Sequence, residues 1–305
     1  MKRALVTGSN GFLGRHLCAA LRKQGVVVTA IFHHLHKSDH KDFDNAVFSD
    51  LSDGAMWDAV LARHQIDTVF HLAAITEIAV GLTDPTGTFE TNIKGTWNIL
   101  EACRRQKIRR VVVSSSDKAY GRTAPPYHED LPLSPDRPYE TSKACVDLIA
   151  RTYTSSYGMS IATTRCVNLY GPGCLSLSTL VPNTIRRILQ GIRPMIRNGG
   201  KMRRDWLYID DAIDAYLKLA ASDYTGPMNF GSGQGVTVKY IVDTLLQLMG
   251  SDLIPVDEVD RHGEIVDQWT NAGLAREKLG WKPSHSLEEG LAKCIGWYTN
   301  YFSKA

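Results

Sequence analysis

Short apolar runs alternate with amphipathic stretches through the first half of the chain. Ala4-Leu5-Val6 reads as a strand, followed by a glycine turn and a helix from about Phe12 to Gln24. Val26 to Phe32 predicts a second strand, Asp67 to Leu72 a third and Arg110 to Ser114 a fourth. Between the last two, Phe89, Ile93, Trp97 and Leu100 are spaced by four, four and three. That spacing predicts one helix burying all four side chains on a single face. A further helix is expected from about Tyr139 to Tyr157, then a strand from Ser160 to Cys166. Strands alternating with helices imply right-handed crossovers, so the expected fold class is α/β with a doubly wound parallel sheet.

After Asn168 the pattern breaks at Gly171-Pro172-Gly173, and glycine-rich breaks recur at Gly199-Gly200 and from Gly231 to Gly235. This texture predicts a smaller lobe made of discontinuous α/β pieces. The expected division is 1–167 plus about 205–230 for the sheet domain, and 168–204 plus 231–305 for the small lobe.

Composition narrows the function classes. With 305 residues, 43% hydrophobic and 22% charged, the chain can bury a large core without staples. No stretch approaches the ~20 apolar residues of a membrane span. The start, MKRALVTGSN, holds too short an apolar run for a signal peptide. A net charge of +3 does not by itself imply a nucleic-acid partner. The basic residues Arg104, Arg105, Lys107, Arg109 and Arg110 fall at a helix carboxyl end, where cations favour the dipole. The basic run over 186–204 suits a diphosphate. Cys18, Cys103, Cys145, Cys166, Cys174 and Cys294 form no C-x-x-C pair, which points to free thiols in a reducing cytoplasm. Histidines 33, 34, 36 and 40 cluster without a Cys or acidic residue at ligand spacing, so a solvated loop is expected rather than a metal site.

The chemistry begins at Thr7-Gly8-Ser9-Asn10-Gly11-Phe12-Leu13-Gly14. Gly8 permits the tight turn, Gly11 lets a pyrophosphate approach the backbone, and Gly14 lets the helix pack on the strand. The helix amino terminus then aims free N–H groups at phosphate. The second strand ends Thr29-Ala30-Ile31-Phe32-His33-His34, with no acid for the ribose hydroxyls of NAD. His33, His34 and Lys37 can instead meet a 2′-phosphate, so the reading leans to NADP over NAD. Asp50-Leu51 is placed to touch adenine, and His71-Leu72-Ala73-Ala74 ends the third strand beside the cofactor.

Tyr139 and Lys143 stand four apart on one helix face, where an ammonium is expected to lower the phenol pKa. The fourth strand ends in Ser114-Ser115-Ser116-Asp117-Lys118-Ala119-Tyr120-Gly121, at the carboxyl edge that faces a ligand crevice. There Ser116 can hydrogen-bond a hydroxyl under oxidation, and Asp117 can serve as a general acid if protonated.

These motifs resemble the extended short-chain dehydrogenase/reductases of the nucleotide-sugar epimerase/dehydratase family. The matching stretches run from T-G-S-N-G-F-L-G at 7–14 through H-L-A-A at 71–74, T-N-I-K-G-T at 91–96 and S-S-S-D-K-A-Y-G at 114–121. They continue with Y-E-T-S-K at 139–143, R-C-V-N-L-Y-G-P at 165–172, R-D-W-L-Y-I-D-D at 204–211 and R-H-G-E at 261–264. The resemblance implies a Rossmann domain holding NAD(P), with Tyr139 as base and Lys143 as its electrostatic partner. It implies Thr76, Ser116, Asn168, Arg204 and Arg261 as contacts to a nucleotide-diphosphate sugar, the arginines on the diphosphate, and a homodimer formed through the helices near 86–105 and 140–157. No nucleic-acid or membrane partner is expected.

Two reactions stay open. A 4,6-dehydratase needs an acid for the carbon-6 hydroxyl and a base for the carbon-5 proton, typically an Asp-Glu pair in this family. Here Asp117 matches the acid and Lys118 replaces the Glu, as in the similar CDP-glucose 4,6-dehydratases, and lysine serves as a base only if its pKa is lowered. A 4-epimerase needs neither, and usually carries a small or polar residue in place of Asp117. The reading favours the dehydratase, with the 4-epimerase as alternative. A non-catalytic NAD(P) sensor is more remote, because both Tyr139 and Lys143 are present.

Overall fold

The structure, a computed structural model, describes residues 1–33, 41–259 and 265–303. Seven strands build the main sheet: β1 (Arg3–Thr7), β2 (Val27–Phe32), β3 (Asn45–Phe48), β4 (Thr68–His71), β5 (Arg110–Ser114), β6 (Ile161–Cys166) and β7 (Gly226–Phe230). All neighbours pair in parallel, in the order β7-β6-β5-β4-β1-β2-β3. The order reverses beside β1, which opens a crevice at the carboxyl edge for a ligand.

Alternation along β1 splits the core. Ala4 and Val6 join a cluster with Leu17, Leu21, Ile213 and Tyr216, while Leu5 joins one with Ile99, Leu100 and Val146 on the other face. The first cluster receives α1 (Phe12–Lys23); the second receives α2 (Trp57–Arg63), α3 (Gly95–Arg105) and α4 (Pro138–Tyr157). Beyond α4 come α5 (Leu180–Leu189), α6 (Ile209–Ala221), α7 (Val238–Leu248) and α8 (Leu287–Phe302). Short strands over 168–170 and 206–208 pair in parallel, and three more over 203–204, 236–237 and 267–268 form a small mixed sheet. The first cluster runs on from the main sheet into these pieces through Ile185, Trp281 and Tyr298.

Two expectations fail for physical reasons. The helical stretch before β5 is not a single regular helix. Glu90–Lys94 form a π-turn between the helix Pro85–Phe89 and α3, and its extra residue rotates the buried face. Trp97 is therefore 44% exposed, while Asn92, Thr96 and Ile99 turn inward. Strand β3 went unread because Asn-Ala-Val-Phe is short and lies at the sheet edge, with none of its four residues fully buried.

Candidate active site

The parallel register brings the carboxyl ends of β1, β4, β5 and β6 to one edge, where Thr7 pairs with His71 and Ser114 with Thr164. Gly8 then turns with φ +66°, and a Cβ there would lie 2.8 Å from the Ala73 amide nitrogen. A Cβ on Gly14 would sit 2.1 Å from the Gly8 carbonyl oxygen. The turn is thus closed to larger side chains, and Phe12 and Leu13 follow half-buried at the start of α1. Gly11, the N-cap residue of α1, offers no side-chain cap, so the first N–H groups of the helix stay available to an anion. Beside them, Asn10 Oδ1 and Arg15 Nε are buried without a hydrogen-bond partner. The helix N–H groups and Arg15 Nε are donors that fit a dinucleotide pyrophosphate, while Asn10 Oδ1 is an acceptor left open beside them.

The walls of that cleft are pinned by side chains of the quoted motifs to which the sequence reading gave no role. Thr7 Oγ1 accepts from the amides of Leu72 (3.0 Å) and Ala73 (3.1 Å) and bonds His71 Nδ1 at 2.9 Å. His71 Nε2 bonds Thr96 Oγ1 at 3.0 Å. Burial, then the charge of Lys143, depresses the His71 pKa to about 3, so the imidazole is neutral. Asn92 ties Ile75 to Ser142 through both ends of its amide. Its place in T-N-I-K-G-T was the available signal. Ala74 is half-buried after Ala73, and Thr76 is exposed in the same loop.

At the β2 end, His33 Nε2 lies 3.2 Å from Asp50 Oδ2, both side chains more than half exposed. Hydrogen bonds from Ser52, then His33, hold the Asp50 carboxyl below its ordinary range. Leu51 is buried next to Gly95. His34 and Lys37 lie outside the described residues, as does most of the histidine cluster. Among the described residues no group of three or more His, Cys, Asp or Glu is placed to hold a metal.

The reactive groups meet after β5. Ser116, Asp117, Tyr139 and Lys143 are all buried. The Tyr139 hydroxyl hydrogen-bonds Ser116; burial raises its pKa above that of an ordinary phenol, and the Asp117 charge raises it further. The expectation that Lys143 lowers this pKa is not met. Lys143 Nζ instead donates to the Ser114 carbonyl at 2.7 Å, and burial pulls the ammonium down to about 8. Ser115 Oγ fixes the same turn by donating to the Lys143 carbonyl at 3.1 Å.

Asp117 Oδ1 accepts from Ser116 Oγ at 3.0 Å and lies 3.5 Å from Lys118 Nζ. Lys118 Nζ also donates to Asn168 Oδ1 at 3.2 Å. Asp117 Oδ2 is buried with no partner. Tyr127, another residue the sequence reading passed over, is fully buried and donates to the Gly121 carbonyl at 3.4 Å, and burial, then the Asp117 charge, raises its pKa. Arg204 Nη1 donates to the carbonyls of Arg203 and Val266 at 2.9 and 3.0 Å. Arg261, with the rest of R-H-G-E, lies outside the described residues. The structure therefore gathers Ser116, Asp117, Lys118, Tyr139, Lys143 and Asn168.

Residues 4–231 match the NAD dependent epimerase/dehydratase family. A dTDP-glucose 4,6-dehydratase of Mycolicibacterium smegmatis is 31% identical over 311 residues, covering 97% of this chain and 93% of its own. A UDP-glucose 4-epimerase of Thermotoga maritima, solved with UDP-glucose, superposes with a TM-score of 0.93 at 28% identity, covering 98% of this chain and 99% of its own. A dTDP-glucose 4,6-dehydratase of Streptomyces venezuelae, solved with NAD and TYD, gives 0.91 at 27% identity, with 99% and 98% covered. With its glycine turn, Tyr139–Lys143 helix and seven-stranded sheet, the chain belongs to the NAD-dependent epimerase/dehydratase family.

Proposed function

We propose that the protein is a nucleotide-sugar 4,6-dehydratase that oxidises carbon 4 transiently and eliminates water across carbons 5 and 6. The carrying observation is Asp117: a fully buried carboxyl at the sheet edge, beside Tyr139, with one oxygen left unpartnered. Epimerisation has no use for such a group, whereas elimination needs proton handling at carbons 5 and 6. Tyr139 takes the proton of the carbon-4 hydroxyl, and Ser116 orients that hydroxyl. Bound NAD(P) supplies a positive ring that favours the phenolate, and a carrier that takes the carbon-4 hydride and returns it. Gly8, Gly11, Phe12, Leu13, Gly14, Leu51, Leu72, Ala73 and Ala74 would line its site. The solved UDP-glucose epimerase gives the alternative reading its support, because its superposition is equally close.

The cofactor choice turns on His33 and Asp50. The missing acid at the end of β2 favours NADP, but the Asp50 carboxylate 3.2 Å from His33 offsets the positive charge with which His33 would meet a 2′-phosphate. We therefore assign NAD. Thr76, Asn168, Arg204 and Arg261 are the proposed contacts to the nucleotide-diphosphate sugar, on a lobe of residues 168–204 and 231–305. Trp97 on α3, with Leu148 and Tyr157 on α4, leaves apolar surface exposed, which supports a homodimer through these helices. The free thiols support a reducing cytoplasmic setting.

Turnover of glucose linked to dTDP, CDP or UDP in deuterated water tests the reaction. The expected product is a 4-keto-6-deoxy sugar with deuterium at carbon 5. A product altered only in configuration at carbon 4, without deuterium, replaces the dehydratase by the epimerase.

A further inference from the structure

Resting on the dehydratase reading, we infer that the two proton-handling side chains act in the reverse of their expected roles: the Asp117 carboxylate removes the carbon-5 proton, and the Lys118 ammonium protonates the departing carbon-6 hydroxyl. The ground is their bonding. An ion pair is a carboxylate that can only accept and an ammonium that can only donate. Asp117 Oδ1 is occupied on two sides, by Ser116 Oγ at 3.0 Å and Lys118 Nζ at 3.5 Å. That fixes the carboxylate plane and leaves Oδ2 as a buried acceptor with nothing to accept. Such an atom is costly unless it has a use.

Lys118 is held from the other side by Asn168 Oδ1 at 3.2 Å, again as a donor. An ammonium carries three N–H groups, so at least one remains beyond the Asp117 and Asn168 contacts. Its side chain is 16% exposed against 1% for Asp117, so the donor is the member of the pair with access to solvent protons.

The step balances. The carbon-5–hydrogen bond breaks, its proton goes to Asp117 Oδ2, and its electron pair forms the carbon-5–carbon-6 double bond as the carbon-6–oxygen bond breaks. The leaving hydroxide takes a proton from Lys118 and departs as water. The hydride taken from carbon 4 is delivered to carbon 6, and Asp117, after exchanging the abstracted proton with water in the cleft, protonates carbon 5. The proton Tyr139 gained at carbon 4 offsets the one Lys118 gave up, with solvent carrying it between them.

The test separates carbon-5 exchange from loss of oxygen. Asp117→Asn, Lys118→Met and the wild type are each given a 4-keto nucleotide sugar that retains its carbon-6 hydroxyl, in deuterated water. Carbon-5 deuterium is followed by NMR and loss of the 6-hydroxyl by mass spectrometry. Native cofactor binding, read by fluorescence, confirms that each variant is folded. Lys118→Met is expected to keep carbon-5 exchange within about tenfold of wild type while elimination falls at least ~100-fold. Asp117→Asn is expected to lose both. Exchange that persists in Asp117→Asn and vanishes in Lys118→Met overturns the inference and restores Asp117 as the acid, leaving the dehydratase reading intact. A wild type that eliminates no water from any of the three nucleotide sugars overturns the dehydratase reading, and the inference with it.

Discussion

Two buried ion pairs lie one strand apart and differ in how fully they are bonded. Arg165 on β6 grips Asp147 on α4 through Nε at 2.8 Å and Nη2 at 3.1 Å, each side chain 5% exposed. Its remaining nitrogen donates to the Tyr120 hydroxyl at 2.7 Å and the Glu129 carbonyl at 3.1 Å. Tyr120 passes the chain on to Asn229 Oδ1 at 2.8 Å, across to β7. Asp117 and Lys118 meet at 3.5 Å through one oxygen, and the second oxygen has no partner. A pair with both carboxylate oxygens bonded holds strands together. A pair with an acceptor left over can hold a substrate proton. Charge is alike in the two and both carboxylates are buried; the unbonded oxygen of Asp117 separates structure from chemistry.

Replacing the acid in each pair gives the sharpest break in this comparison. Asp147→Asn leaves a buried guanidinium facing a neutral amide and is expected to cost about 3–5 kcal/mol of folding stability. Asp117→Asn removes an acceptor that has no partner and leaves Lys118 bonded to Asn168, so its expected cost is below about 1 kcal/mol. Denaturant midpoints at constant m-value decide it. Equal losses at the two positions would mean that Asp117 also holds the fold together.

The lysine of the Tyr139 helix sharpens the contrast from the opposite direction, because it is buried with no carboxylate. Lys143 titrates at about 8 when folded, against its ordinary 10.5. Between those values the unfolded chain binds the extra proton, so stability rises with pH across this window, and below pH 8 the burial penalty is fully present. The gain is on the order of 3 kcal/mol. Buried thiols such as Cys103, whose pKa burial raises, oppose it above pH 9. The measured quantity is therefore the difference between wild type and Lys143→Met, which cancels the thiols. That difference should grow from pH 8 to pH 10; a flat one would show that Lys143 is not held as a desolvated ammonium.

The sheet and its carboxyl edge were legible in the sequence because β-strand runs and glycine spacing are local signals. Gly8, Gly11 and Gly14 lie on the turn they foretold, and Ser116, Asp117, Tyr139 and Lys143 do converge. What escaped depends on contacts distant in sequence or on backbone departures. The π-turn at Glu90–Lys94 rotated Trp97 outward, and no spacing rule carries an inserted residue. Asn92 and Tyr127 act through partners such as Ser142, 50 residues away. The Lys143–Tyr139 spacing was read correctly, but the direction of the ammonium was not. Helix register sets where a side chain starts, while the Ser114 carbonyl sets where its charge ends.

The weakest member of the series is the surface pair of Arg105 and Asp58. Its geometry rivals that of Arg165 and Asp147: Arg105 Nε reaches both carboxylate oxygens, at 3.1 and 3.0 Å, and Nη2 approaches as well. Yet the side chains are 43% and 33% exposed, so water and salt share the field. Gln106 also donates to Asp58 at 3.1 Å, which leaves the carboxylate a partner when the arginine is gone. Arg105→Gln is expected to move the denaturant midpoint little, with what shift there is shrinking further in molar salt. If its midpoint fell as far as that of Asp147→Asn, geometry rather than burial would rank these pairs, and the distinction between saturated and unsaturated buried pairs would lose its physical basis.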